Sequence, residues 1–140
     1  MKYLSFIAIY FIFNLSFSQN ILDDIGNKTF PRYRGCSEKL DYEALESCTT
    51  ERIMDFVKVN TTIDEAERLF PTDRSTQFEA NFVIDKKGQI KDIQVKAHKR
   101  EMAALVIYAL KQLPKMKAPG TLNGKPIDVP FKFLMTLYFD

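Results

Sequence analysis

The chain is poor in the residues from which active sites are built: its 140 residues include a single histidine, His98, and two cysteines, Cys36 and Cys48. General acid–base catalysis needs convergent groups of matched pKa, and a zinc site needs ligands at short, paired spacing. One imidazole and two separated thiols supply neither, and no glycine-rich phosphate loop or nucleophile motif stands elsewhere. An enzyme is therefore not expected, and no cofactor or metal is implied. His98 reads as a loop or strand-end residue, and Asp85 and Asp92 suit a turn and a bulge better than an acid pair. An excess of one charge is also lacking: 20 Lys and Arg stand against 18 Asp and Glu, a formal net charge of +2. Lys111, Lys115, Lys117 and Lys125 gather near one helix end and the loop after it, where a cation complements helix carbonyls or faces water. With no basic groove, no nucleic-acid partner is expected.

What is present suits one globular domain, with 46% hydrophobic and 27% charged residues. The first stretch opens on Lys2, continues through an apolar run from Leu4 to Phe13, and reaches Ser16, Phe17 and Ser18 before Gln19. This is the pattern of a signal peptide over residues 1–18, cut between Ser18 and Gln19. The rival reading is an uncleaved membrane anchor. The uncharged run from Tyr3 to Asn20 sits at the bottom of the ~18–20 residues that span a bilayer, and Ser5, Asn14, Ser16 and Ser18 interrupt it. Cleavage removes one charge, Lys2, so +2 becomes +1. An exported chain meets an oxidising compartment, where Cys36 and Cys48 are expected to join in a disulfide stabilising by roughly 3 kcal/mol. A reactive or metal-binding thiol pair is the weaker alternative, since no His partners lie near it.

Residues 19–30 are polar with isolated aliphatics and read as a flexible lead-in without a packed element. Residues 31–36 follow as an extended segment pinned by Cys36. From Asp41 to Asn60, Leu45, Cys48, Ile53, Phe56 and Val57 recur at helical spacing, an amphipathic helix in which a break near Thr49-Thr50 stays open. Residues 61–76 read as loop with a helical turn. Phe78, Ala80, Phe82 and Ile84 then alternate as a strand with one buried face, and Asp85-Lys86-Lys87-Gly88 supplies a hairpin turn. In the return strand Ile90 and then Ile93, Val95 and Ala97 change parity, which favours a bulge near Asp92 over burial of both faces. Residues 101–113 form a helix with Leu105, Ala109 and Leu113 along one side and Met102 and Leu110 beside it, stopped by Pro114. After an Asn123-Gly124-Lys125-Pro126 turn, Val129, Phe131, Phe133, Met135, Leu137 and Phe139 share one face of a last strand.

The expected fold is α+β: a small three-stranded antiparallel or mixed sheet with one helix packed on it, preceded by the amphipathic helix. A strand–helix–strand connection is right-handed, so the last strand returns beside the first and parallel to the second, and becomes an edge. Its outward residues Lys132, Leu134, Thr136 and Tyr138 carry less charge than a guarded edge, although Pro130 blocks pairing at its start. Such a sheet is too small to enclose a cleft, so no small-molecule substrate is expected. Its open edges suit extended peptides or a second copy of the chain.

Several segments in order resemble the C-terminal domain of the energy transducer TonB. They are Phe82-Val83-Ile84-Asp85-Lys86-Lys87-Gly88-Gln89-Ile90, Leu113-Pro114-Lys115-Met116-Lys117 with Pro119-Gly120, and Asn123-Gly124-Lys125-Pro126-Ile127-Asp128-Val129. The segment from Tyr33 to Cys36, with Cys48 and Phe56, is similar to the disulfide-bearing version of the family. The resemblance covers about residues 31–139. It departs at Thr61-Thr62, where the family has Tyr-Pro, around Ser75-Thr76, where it has glycine, and at Thr136, where it has proline. The resemblance implies a periplasmic module that adds an extended segment of a TonB-dependent outer-membrane transporter to its sheet edge, along Phe131, Lys132, Phe133, Leu134, Met135, Thr136, Leu137, Tyr138 and Phe139. Family transducers also have an N-terminal membrane helix and a long proline-rich spacer. Here the lead-in of about ten residues reaches a few tens of ångströms at ~3.5 Å each, so a short module is expected rather than a transducer crossing the periplasm.

Overall fold

Nine elements follow one another in the computed structural model, which describes residues 27–139: β1 (Lys28–Thr29), α1 (Tyr42–Asn60), α2 (Ile63–Leu69), β2 (Ser75–Ile84), β3 (Ile90–Ala97), α3 (Arg100–Lys111), β4 (Thr121–Leu122), β5 (Lys125–Pro126) and β6 (Val129–Tyr138). The expected signal segment and its Ser18/Gln19 cut lie outside the described residues. Among the described residues no helix is long and apolar enough to cross a membrane.

The main sheet has the order β3-β2-β6, with β2 antiparallel to both neighbours, so β3 and β6 run parallel on either side of it. This is the expected order. The burial of β2 and β6 alternates residue by residue, which places Phe78, Ala80, Phe82 and Ile84 beside Phe131, Phe133, Met135 and Leu137 on one covered face. Rings of Phe78, Phe82, Phe131 and Phe133 meet there, with Phe82 and Phe131 stacked at 4.9 Å. Both longer helices lie over this face, α1 against β6 and α3 against β3. The expected bulge is present: between the pairs Asn81↔Gln94 and Val83↔Lys91 the return strand carries one extra residue, and Asp92 adopts φ 55°. At the hairpin, Gly88 has φ 78°, and the Asp85 carboxylate accepts from the backbone N–H of Lys87 and Gln89.

Four expectations need correction. The first helix is continuous, without a break at Thr49-Thr50, because Thr49 is fully buried and its hydroxyl is satisfied twice: it donates to Pro31 O at 2.8 Å and accepts from Tyr33 N at 3.2 Å. Residues 63–69 make a short helix rather than a single turn; it packs on α3, and Lys99 reaches across to the Leu69 carbonyl and the Phe70 ring. In α3 the buried side is Met102, Val106, Ala109 and Leu110, with Leu105 and Leu113 only half-buried, so the stripe is turned from the expected line. The packed chain begins before residue 31. Lys28 and Thr29 pair with Leu122 and Thr121 in a second small sheet, β1-β4-β5, and Phe30 is buried against Tyr42 and Phe131.

This second sheet is possible because Gly120 has no side chain: a Cβ there would lie 2.5 Å from Val129 Cγ2. The Cys36–Cys48 disulfide is formed, with Cα atoms 6.1 Å apart, and ties the segment after β1 to α1. It acts together with the Thr49 hydrogen bonds, so covalent and polar links fix one stretch of chain against one turn of helix.

Candidate functional site

Residues of an antiparallel strand direct both backbone groups to one side, and successive residues alternate sides. The Phe139 N–H donates to Arg74 O at 2.8 Å, continuing the β2–β6 ladder, so the odd-numbered residues of β6 are those bonded to β2. Lys132, Leu134, Thr136 and Tyr138 therefore direct N–H and C=O away from the sheet. Among the described residues no hydrogen bond engages these groups. Pro130 shares their parity, so its missing N–H costs the ladder nothing.

The residues expected to form the contact strand thus divide into two sets. Phe131, Phe133, Met135 and Leu137 are buried and Phe139 half-buried; their side chains belong to the core and their backbone to β2, and Phe139 stacks on Phe70. Lys132, Leu134, Thr136 and Tyr138 provide the open rim, and Leu134 and Tyr138 are 57% and 73% exposed. Their side chains lie on the uncovered face of the sheet, where Gln77 donates to the Thr136 hydroxyl.

The sheet's two rims differ. Edge strands resist pairing through bulges and unpaired charge. The β3 rim has the bulge at Asp92 and the exposed charge of Lys96, while Lys91 is paired with Asp128. In contrast, β6 pairs with β2 over ten residues in unbroken register. Its single charge, Lys132, is drawn back over the sheet to Glu79 at 3.1 Å. The Asn81 amide and then the Lys132 ammonium hold the Glu79 carboxyl below its usual range. At the start of β6, Asp128 accepts from Lys86 N at 3.1 Å and from Lys91 Nζ at 2.8 Å, so the hairpin turn and the strand entry are joined.

Beside the open rim, α1 and β6 border a shallow recess of about 460 Å³ lined by Ser47, Thr50, Glu51, Met54, Asp55 and Met135. No periodicity in the sequence announces it, because it arises where two elements far apart in the chain come together. A second recess joins Lys115 and Lys117 to Arg32 and Arg34. The lysines were legible as a cluster; the arginines arrive through the Arg32↔Ala118 bridge. His98 is exposed just after β3 ends, Asp85 caps the turn and Asp92 occupies the bulge. Among the described residues no three His, Cys, Asp or Glu side chains gather as a metal site would need. The chemistry on offer at the rim is hydrogen bonding by backbone.

No protein-family model matches the chain, and no curated protein or solved structure matches it.

Proposed function

We propose that the protein is an exported, periplasmic, non-enzymatic binding module of TonB C-terminal type. It adds an extended segment of an outer-membrane transporter or similar partner to β6 as a further strand. The observation that carries the reading is the unengaged row of backbone groups at Lys132, Leu134, Thr136 and Tyr138, on an edge with neither bulge nor free charge. Main-chain bonds to such a row give affinity, and alternate side chains give selectivity. The sheet order β3-β2-β6, with a helix between the outer strands, supports the resemblance carried by the segments from Phe82 to Ile90 and from Leu113 to Val129.

A second reading has its own observation. Leu134 and Tyr138 are large, exposed and on the same strand, so the β6 edges of two copies could pair with each other. Backbone NMR separates the two. Peptides from transporter Ton boxes, titrated into the chain, are expected to shift the amides of Lys132, Leu134, Thr136 and Tyr138 and to slow their hydrogen exchange, while their odd-numbered neighbours are protected already. Protection of the same amides without peptide, rising with protein concentration, selects self-pairing. Rim amides that ignore both peptide and concentration exclude β6 as a contact strand.

A further inference from the structure

The recess between α1 and β6 lies where alternate side chains of an added strand would project. A strand paired to β6 runs about 4.8 Å from it, and residues opposite one another point to the same face. The residue opposite Met135 therefore points toward the flank of α1, where Ser47, Thr50, Glu51, Met54 and Asp55 line the recess.

The polar groups of this lining are mostly acceptors. The Thr50 hydroxyl already donates to the Glu46 carbonyl at 2.7 Å, so its proton is in use. Glu51 and Asp55 are exposed, and among the described residues neither forms a salt bridge. Neither Arg52 nor Lys58, the nearby cations on the helix, is part of the lining. The walls formed by Met54 and Met135 are apolar. A side chain that fits has an apolar stem and a cationic head, as lysine and arginine do.

Resting on the strand-addition reading above, the geometry points to a partner segment that carries Lys or Arg opposite Met135, its charge set between Glu51 and Asp55. The opposite face of the added strand meets Leu134 and Tyr138, which favours apolar residues at the alternating positions.

Three capped nonapeptides of alternating valine and threonine, identical except for lysine, norleucine or glutamate at the centre, test this by NMR titration of the full chain at low and high salt. The lysine peptide is expected to bind about fivefold more tightly than the norleucine peptide, in line with one or two partly exposed ion pairs, and to lose that advantage in high salt. The preference should vanish in the Glu51→Gln/Asp55→Asn variant and turn toward glutamate in Glu51→Lys/Asp55→Lys. Both sites are exposed, so these variants retain the fold. Equal affinities for all three peptides, with rim amides shifted, overturn the cation preference and leave strand addition standing. Absence of rim shifts with every peptide overturns both.

Discussion

A pair of proline substitutions on β6 tests the alternation on which the binding surface depends. Met135 is paired with Phe78 and, by parity, exchanges backbone hydrogen bonds with it; Leu134, next to it, faces outward. Alanine at each position removes the side chain alone, so the excess cost of proline over alanine isolates the backbone. At Met135, proline deletes one ladder bond and leaves the Phe78 carbonyl without its donor, about 2–4 kcal/mol together. At Leu134 no internal bond is lost, and only the adjustment of φ to the proline ring remains, about 1 kcal/mol or less. The side-chain terms differ in the same direction, since Met135 is 6% and Leu134 57% exposed. Met135→Pro thus totals about 4–9 kcal/mol with the loss of the buried side chain. That approaches the whole stability of an ordinary domain, about 5–15 kcal/mol. Urea unfolding followed by circular dichroism gives the four values. Leu134→Pro should stay folded and lose peptide-induced shifts at the rim, whereas Met135→Pro should be largely unfolded. An excess at Leu134 equal to that at Met135 would refute the assignment of the open rim.

Three further outcomes are expected. Replacing both Cys36 and Cys48 by serine releases a loop closed over a separation of 12 residues and should lower stability by about 3 kcal/mol, read as the shift in urea midpoint; a shift near zero counts against the bridge as the main tether. Thr49→Val leaves Pro31 O and Tyr33 N without their buried partner and should cost about 2–4 kcal/mol, while Thr49→Ser, which retains the hydroxyl, should cost about 1; equal losses would show that the hydrogen bonds contribute little. Asp128, held low chiefly by the hydrogen bond from Lys91, and Glu79, held low by Asn81 and Lys132, have folded pKa values below their unfolded ones. Their contribution is present above the unfolded carboxylate range and is lost as pH falls through the lowered folded values. Carboxyl carbon titration should place both midpoints below ordinary Asp and Glu. A midpoint at or above the ordinary value for either would break the assignment of its partners.

Much of this fold was legible because it is local. A period of two over residues 78–84 and 129–139, helical spacing over residues 41–60, and turn chemistry at Asp85–Gly88 and Asn123–Gly124 each depend on neighbours a few residues away. The bulge at Asp92 was visible for the same reason, as a change of parity within one strand. Whether the helix breaks at Thr49 stayed open because a polar residue in a helix signals a break unless something buries and satisfies it. Its partners, Pro31 and Tyr33, lie 18 and 16 residues back along the chain. The two-residue strands β1, β4 and β5 are too short for any pattern, and the pairing of Lys28 with Leu122 has no local signature.

At the candidate site the division is sharper. Sequence alone determined that the last strand has one apolar face, that its other face carries little charge, and that two cysteines were available to join. Only the tertiary structure decided which half of that strand's backbone stays unengaged, because parity toward solvent depends on which neighbour takes the other half. It also decided that Lys132 turns inward to Glu79 and that α1 sets two carboxylates beside Met135. The pattern of side chains belongs to the strand itself, but the vacancy belongs to the pairing, and pairing is a property of segments that meet only when the chain has folded.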